Sequence, residues 1–378
     1  MDALLRKLGI EVPILQAPMA GVSTPEMAAL VSNAGGVGAI GVGAVDAEAT
    51  RQMITAVRSL TDRAFNVNVF CHQPARRDPV REAAWVARLE PEFARFNAKP
   101  PTQLAEIYQS FLTDDAKLEV LLAERPAVVS FHFGLPARER IDALRAAGIV
   151  LVATATSLDE ARASVAAGID AVVAQGYEAG GHRGVFDPAA GDDRLGTIAL
   201  TRLLISQLDV PVIAAGGIMD GAGIAASLML GAAGAQLGTA FVACPESSAD
   251  AGFRAALMSP AAEHTVMTAA ISGRPARCLA NRFTSFSRDV RSVFIPDYPV
   301  AYDIGKALHA AARKAGEFGY GAQWAGQGAP LARSLPTAEL MARLRGELEI
   351  ALSSSSALPA AGMGAAINMQ GLAGHEGG

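Results

Sequence analysis

Residues 169–184, IDAVVAQGYEAGGHRG, join a short apolar run to a glycine-rich loop that carries one histidine. The run IDAVVA is typical of a β-strand, and a strand that ends in such a loop is where a parallel α/β barrel keeps its chemistry. Three glycines within five positions let the backbone approach a bound group closely. We therefore expect His182, and the amide of Gln175 at the strand end, to lie at a functional site.

Seven further apolar runs accompany this one, mostly with helical patterns between them. Several lack polar alternation, as expected of strands that are buried on both faces of a parallel sheet. Eight strands with alternating helices predict an α/β fold, a (β/α)8 TIM barrel, and an open doubly wound sheet is the alternative. The predicted strands are VPILQA (12–17), VGAIG (37–41), FNVNVF (65–70), AVVSF (127–131), IVLVAT (149–154), IDAVVA (169–174), VPVIAA (210–215) and AGAQLG (233–238).

Two segments are longer than ordinary connections between barrel elements. Within a barrel over residues 1–240, residues 71–126 carry helical patterns and are expected to form a flap over the barrel mouth. Residues 241–320 are expected to form a second, smaller and mainly helical substrate domain, and residues 321–352 to return to the barrel with a closing helix. Residues 353–378 are rich in small side chains, so we expect a flexible tail.

Composition excludes several classes of function. Of the 378 residues, 51% are hydrophobic and 18% are charged, which suits a barrel-sized core with one smaller unit. The net charge of −5 and the lack of a basic block argue against nucleic acid as a partner. Cys71, Cys244 and Cys278 are scattered without a CxxC motif, which favours reduced thiols. Because no signal peptide or membrane span is visible, we expect a cytoplasmic protein with no membrane partner. We expect a monomer or homodimer, and no sequence pattern specifies a symmetry.

Two glycine turns follow the seventh and eighth predicted strands. The first is Gly216-Gly217 in VPVIAAGGIMDGAG, and the second is Gly238-Thr239 in AGAQLGTAF. Exposed backbone N–H groups at such turns bind anions, and the loops after strands seven and eight of a barrel commonly hold a phosphate. The alternative is that these glycines only let the helices pack tightly against the sheet.

Other strand ends carry polar or polarizable side chains. Asn68 lies in the second half of FNVNVF, and a buried amide there needs a partner, which could be the edge of a heteroaromatic ring, a ribityl hydroxyl or another core group. The same two interpretations, a ligand contact or a satisfied core amide, apply to Gln175. Met19 follows the first strand among small residues and offers a polarizable face to a flat ring. His182 has no neighbouring histidine at ligand-like spacing, so we expect no metal site.

These motifs together resemble the nitronate monooxygenases, formerly called 2-nitropropane dioxygenases, and specifically their bacterial class I. The resemblance covers nearly all of residues 10–350 and leaves out the tail beyond 353. The segments that carry it are QAPMAGVSTPE (16–26), FNVNVF (65–70), AQGYEAGGHRG (174–184), AAGGIMDGAG (214–223), QLGTAF (236–241) and WAGQGAPLAR (324–333).

The resemblance implies an FMN-dependent barrel enzyme with His182 as its catalytic residue. It places Met19 near the flavin ring. The further flavin-contacting positions that it implies are Asn68, Gln175, Gly180, Gly181, Gly216, Gly217, Gln236, Leu237, Gly238 and Thr239. The substrate-lining positions that it implies are Tyr108, His132, Tyr298, Tyr302 and Lys306.

The implied reaction is the oxidation of alkyl nitronates with O2 to a carbonyl compound and nitrite, through one-electron reduction of the flavin. Tyr298, Tyr302 and Lys306 share a helix-like spacing, so one face could present two phenols and an ammonium to a second anionic group. A solvated lysine beside packed tyrosines is the alternative. If Lys306 and the tyrosines bind a second anionic group such as a carboxylate, the expected substrate is propionate 3-nitronate, a toxic metabolite. Whether His182 removes a proton or only stabilises an anion stays open.

Two other functions fit the same glycine turns. One is an NAD(P)H-dependent FMN reductase acting on quinones or enoyl thioesters, since FMN is common to both. The other is a flavin-free barrel that binds a sugar phosphate.

Overall fold

The computed structural model of the protein describes residues 2–356. Residues 357–378, which make up most of the predicted tail, lie outside the described part of the chain. Residues 353–356 instead continue the closing helix, which runs from Thr337 to Ser356.

Eight parallel strands form the barrel, and each predicted run supplies one of them. They are β1 (Ile14–Gln16), β2 (Gly38–Gly41), β3 (Phe65–Phe70), β4 (Val128–His132), β5 (Val150–Ala155), β6 (Ala171–Gln175), β8 (Val212–Ala215) and β9 (Gly234–Leu237), interrupted in chain order by the short β7 (Gly181–His182). The sheet order is β1-β9-β8-β6-β5-β4-β3-β2.

Two hydrogen bonds join the first and last strands of this order. The amide of Gln16 donates to the carbonyl of Val37 at 2.9 Å, and the amide of Val37 donates to the carbonyl of Ile14 at 3.0 Å. Because β1 and β2 are thereby paired, the sheet is a barrel and not an open doubly wound sheet. The predicted (β/α)8 fold is confirmed.

Helices cover the outside of the barrel and build a second layer over its mouth. They are α1 (Ala3–Lys7), α2 (Pro25–Asn33), α3 (Ala47–Arg58), α4 (Pro79–Ala94), α5 (Asp115–Glu124), α6 (Arg138–Ala146), α7 (Leu158–Ala166), α8 (Thr197–Ile205), α9 (Gly221–Met229), α10 (Thr239–Val242), α11 (Ala251–Leu257), α12 (Arg282–Phe286), α13 (Val300–Lys314) and α14 (Thr337–Ser356). Many begin at a side-chain cap; in α2 the Thr24 hydroxyl accepts from the amide of Met27 at 3.1 Å, with Pro25 at the first helical position.

The barrel interior is a packed apolar core. Its members include Leu15, Val152, Val173 and Ile213. Leu5 of α1 packs into the same cluster, together with the first residues of β4, β5 and β6, so α1 covers the end of the barrel away from the strand C-termini. The open mouth is therefore the C-terminal end of the strands, where barrel enzymes place their sites.

The segment 71–126 divides between two cores. Val120 and Leu121 of α5 pack with the barrel strands, so α5 acts as a barrel helix. Trp85 and Phe93 of α4 instead pack with Ile304 of α13 over the mouth. The limits of the barrel and of the second domain stay predictions. Helices α4 and α13 pack in one apolar cluster, so the segments 71–126 and 241–320 meet there.

A small antiparallel sheet links this upper layer to the loop after β6. It consists of β10 (Thr265–Thr268), β11 (Ala276–Leu279) and β7, in the order β10-β11-β7. Ala276 pairs with His182, and Arg277 pairs with Gly181. The histidine loop is therefore held as a strand between the barrel and the segment 241–320, which sequence patterns had described as mainly helical.

Candidate active site

A cavity of about 690 Å³ lies between the C-terminal ends of the strands and the upper layer. Its barrel side is formed by the ends of β1, β3, β4, β6, β8 and β9. Its other side is formed by α13 and by residues 321–328. This volume falls within the usual range of small-molecule and cofactor sites.

The cavity brings nearly all the candidate residues together. The exception is Leu237, which is 1% exposed and packs in the apolar cluster of Phe241 and Leu340. Its main chain still closes the barrel, because its carbonyl accepts from the amide of Ala17 at 2.8 Å. The candidates that line the cavity are Met19, Asn68, Tyr108, His132, Gln175, Gly180, Gly181, His182, Gly216, Gly217, Gln236, Gly238, Thr239, Tyr298, Tyr302 and Lys306.

The two glycine turns present unpaired amides at one end of the cavity. Gly217 has a φ of +69°, a conformation that L side chains rarely adopt, and this turns its backbone away from the strand direction. The N–H groups of Gly217, Gly238 and Thr239 donate no hydrogen bond to any residue in 2–356. Such a set of free donors from adjacent loops fits an anionic group such as a phosphate.

The side-chain amides of Gln175 and Asn68 differ in which hydrogen-bonding atoms remain without a partner. Gln175 uses both ends of its side chain on the histidine loop: its Nε2 donates to the carbonyl of His182 at 3.0 Å, and its Oε1 accepts from the amide of Gly184 at 2.7 Å. Asn68 donates from Nδ2 to the Ser130 hydroxyl at 2.8 Å, while its Oδ1 accepts nothing from the described residues. Asn68 can therefore accept a hydrogen bond from a ligand, whereas Gln175 holds the loop in place.

His182 stands in a cage of aromatic rings. The centroid of its imidazole lies 5.0 Å from that of Trp324, 5.3 Å from Tyr298 and 5.5 Å from Phe133. Its Nε2 lies 2.9 Å from the hydroxyl of Ser272. Burial, with smaller contributions from nearby positive groups, holds the pKa of His182 well below its ordinary value, so the imidazole is neutral at neutral pH.

His132 and Arg274 lie next to these aromatic rings, and both contact the ring of Phe133. His132 donates from Nε2 to the carbonyl of His182 at 3.2 Å, and burial lowers the pKa of His132 to about 4. The buried guanidinium of Arg274 lies 4.3 Å from the ring centroid of Phe133 and donates to the carbonyl of Val185. Its positive charge further disfavours protonation of both histidines.

Tyr108, Tyr298, Tyr302 and Lys306 form a second cluster against the first. The ring centroid of Tyr108 lies 6.2 Å from that of Tyr298 and 6.0 Å from that of Tyr302. The Lys306 ammonium lies 5.0 Å from the Tyr108 ring centroid and 5.3 Å from that of Tyr302, a cation–π arrangement. Burial raises the pKa of each tyrosine, so the phenols stay protonated and able to donate.

Sequence patterns did not single out four residues of this site: Phe133, Ser272, Arg274 and Trp324. Trp324 lies in a matching motif, WAGQGAPLAR, but nothing in its spacing indicated contact with a histidine 142 positions earlier. Ser272 and Arg274 lie between two short runs, TVMT and ARCL, which form β10 and β11. Two β-type runs separated by a short connection are typical of a β-hairpin, so this pattern could have predicted the hairpin that lies beside the site.

Two absences hold for residues 2–356. No group of three or more His, Cys, Asp or Glu side chains is arranged to bind a metal ion. None of the described helices combines the length and the apolar character that a membrane crossing requires.

Comparison with known proteins connects this cavity to one family. A model of the family described as nitronate monooxygenase matches residues 2–347. The chain is 62% identical to a nitronate monooxygenase of Paraburkholderia phytofirmans over 92% of this chain and 95% of the relative, and 56% identical to one of Pseudomonas aeruginosa over 92% and 99%.

Solved structures with a similar fold were also found. A nitroalkane oxidase from Streptomyces ansochromogenes superposes with a TM-score of 0.85 at 42% identity, covering 93% of this chain and all of that chain. FabK from Thermotoga maritima superposes with a TM-score of 0.70 at 28% identity, covering 94% and 98%. The nitronate monooxygenase family is flavin-dependent in general. The family match over most of the chain, the two relatives above half identity and the barrel with its histidine cavity lead to one conclusion: the chain belongs to the nitronate monooxygenase family and is an oxidoreductase.

Proposed function

We propose that this protein is an FMN-dependent nitronate monooxygenase that oxidises propionate 3-nitronate and related alkyl nitronates with O2. The observation that carries the proposal is the shared cavity, in which His182, the three phenols and Lys306 line one region and the glycine turns line another. The products are a carbonyl compound and nitrite.

The residues present fit FMN. The free amides of Gly217, Gly238 and Thr239 suit its phosphate, and the unpaired Oδ1 of Asn68 suits a hydrogen-bond donor of the flavin. Met19 lines the same cavity beside Gly238, where an added Cβ would lie 3.3 Å from Cβ of Ala17 and 3.7 Å from the Met19 sulfur. The chemistry that a bound flavin supplies is the acceptance of one electron from the nitronate.

The protein's own groups bind and orient the anion. A nitronate carries its negative charge on the two nitro oxygens, and these need hydrogen-bond donors in a cavity from which water is excluded. Tyr298 suits this task, because its hydroxyl is buried and has no partner among the described residues. Tyr108 and Tyr302 place two further phenols beside it.

Lys306 accounts for the preference for a second anionic group. Its ammonium has no carboxylate partner within 4 Å in the described structure, and it is held over two tyrosine rings that line the cavity. The carboxylate of Asp303, one helical turn earlier, accepts a hydrogen bond at 2.9 Å from the backbone amide of Ala105. Lys306 can therefore meet the carboxylate of propionate 3-nitronate while the nitronate lies nearer to His182.

Two measurements on purified protein test the proposal. The first is an absorbance spectrum, which should show flavin bands and, after denaturation, a released cofactor that is FMN. The second is anaerobic mixing with propionate 3-nitronate or with NADH, where the nitronate should bleach the flavin and NADH should not. A colourless protein that cannot be reconstituted with FMN would point to the sugar-phosphate barrel.

Rapid bleaching by NADH with no response to nitronate would point instead to an NAD(P)H-dependent FMN reductase. The structural likeness to FabK at 28% identity is the observation that keeps this second candidate. The proposal also includes a cytoplasmic location and a monomer or homodimer. Size-exclusion chromatography with light scattering tests the oligomeric state.

A further inference from the structure

Ser272 makes the one side-chain hydrogen bond to the His182 ring in the described structure. Its Oγ lies 2.9 Å from Nε2 of His182, and the serine is fully buried, with 0% of its surface exposed. A hydroxyl can either donate to this nitrogen or accept from it. Which of the two occurs decides where the proton of a neutral imidazole resides.

The surroundings of Ser272 decide the direction. Its hydroxyl lies 3.2 Å from the carbonyl oxygen of Arg274 and donates to it. No other donor among residues 2–356 reaches that carbonyl, and a buried carbonyl without a donor is costly. The serine has a single proton, so its oxygen must accept from His182.

We propose that Ser272 is a positioning residue that holds His182 in the neutral form with its proton on Nε2 and its unprotonated Nδ1 open to the cavity. Nδ1 has no hydrogen-bond partner among the described residues, and it is not one of their buried unpaired atoms. His182 then presents a lone pair to the cavity, so it can take up a proton, for example from the α-carbon of a neutral nitroalkane, but it donates no hydrogen bond to a nitronate. The donors to the anion are the phenols.

Backbone pairing and a side-chain hydrogen bond fix the position of Ser272 relative to the His182 ring. Ala276 pairs with His182 across β11 and β7, which fixes the histidine backbone relative to the 271–277 segment. The Arg274 side chain ties the same segment to the carbonyl of Phe186 at 3.4 Å, on the far side of the histidine. The ring itself is confined between Trp324 and Phe133.

The tautomer stands independently of the proposed function, whereas the role of Nδ1 as a proton acceptor toward a nitroalkane substrate rests on it. The direct test is long-range ¹H–¹⁵N correlation NMR of FMN-loaded protein labelled with ¹⁵N-histidine, with His182→Asn used to assign the signals. We expect one neutral form of His182, protonated at Nε2. A proton on Nδ1 in the wild-type protein would overturn the proposal, whatever the substrate proves to be.

Kinetics of a variant test the positioning role. In Ser272→Ala, a second tautomer of His182 should appear, and kcat with neutral 1-nitropropane, whose α-carbon proton the unprotonated Nδ1 would accept, should fall about 10-fold with KM changed less than 3-fold, the effect of losing one ordinary hydrogen bond. Ser164→Ala is the matched control, since Ser164 is also 0% exposed and donates only to the carbonyl of Glu160 in α7. An unchanged kcat in soluble, folded Ser272→Ala would refute the role. If the wild-type enzyme shows no nitronate turnover, the proposed function fails, and the NMR result alone still decides the tautomer.

Discussion

Removing the Lys306 ammonium should affect one class of substrate and spare another. In Lys306→Met the alkyl stem over the rings of Tyr108 and Tyr302 is kept, while the charge is lost. A nitronate that carries a carboxylate, such as propionate 3-nitronate, should lose its partner. A nitronate of similar length without a carboxylate, propyl-1-nitronate, should not.

The size of the effect follows from the exposure of Lys306. Two unit charges about 4 Å apart interact by about 1 kcal/mol in water and about 4 kcal/mol at the effective dielectric of a protein surface. Because Lys306 is exposed in the described structure, the lower part of this range applies. A loss of about 1.4–2 kcal/mol corresponds to a fall in kcat/KM of roughly 10- to 30-fold.

The assay is initial-rate oxygen uptake with each nitronate at low and at high ionic strength. The ratio of kcat/KM for the two substrates should fall about 10- to 30-fold in Lys306→Met, and 0.5 M salt should narrow the difference between wild type and variant. Lys314→Met, on the same helix but outside the cavity lining, is the control and should change neither rate. Equal losses for both substrates, or no loss for either, would refute the assignment of Lys306 to the carboxylate.

Three further outcomes follow from the site. His182→Asn should lower kcat/KM for neutral nitroalkanes such as 1-nitropropane, whose α-carbon proton the imidazole would accept, by about 10²- to 10⁴-fold in oxygen-uptake assays; an unchanged rate would remove His182 from its role. Gly217→Ala should weaken FMN binding in fluorescence titration, whereas Gly9→Ala, with a similar φ of +70° and open space around it, should lower Tm without changing FMN affinity. Burial lowers the pKa of His72 and of His132 to about 4, so the unfolded chain takes up protons first as the pH falls below 6.5. The free energy of unfolding should therefore decrease between pH 6.5 and 4, by up to about 1.4 kcal/mol per pH unit for each histidine, and urea titrations that give the same value at pH 7 and pH 5 would contradict this.

The barrel was predictable because its signals are local. Each strand is a short apolar run buried on both faces, and the alternation with helical patterns leaves few architectures. The observed strands differ from the predicted ones by one or two residues at most ends. The strand predicted as IDAVVA (169–174), for example, is observed as Ala171–Gln175, so Gln175 belongs to the strand and not to the loop after it.

The histidine loop was predictable only in part. Glycines around His182 marked a site, but the short strand β7 forms because β11, almost a hundred residues later, supplies its partner. Pairing between strands so far apart leaves no periodic trace in the loop itself. Ser272 and Arg274 were missed for the same reason, since their importance lies in contacts with residues 89 or 90 positions away.

Side-chain amides show a second limit of sequence patterns. Asn68 and Gln175 had the same two interpretations, a ligand contact or a satisfied core amide. In the structure Gln175 uses both its donor and its acceptor on the histidine loop, while Asn68 keeps one oxygen free. The difference depends on the distance between loop and strand, which the sequence does not encode locally.

Nitronate oxidation in this cavity with the help of a flavin can be followed in one assay. Oxygen consumption and nitrite release are followed together after propionate 3-nitronate is added to FMN-loaded protein. Oxygen uptake should require both protein and FMN, and nitrite should form in step with substrate loss. Absence of oxygen uptake and of nitrite from a protein that holds its flavin would contradict it.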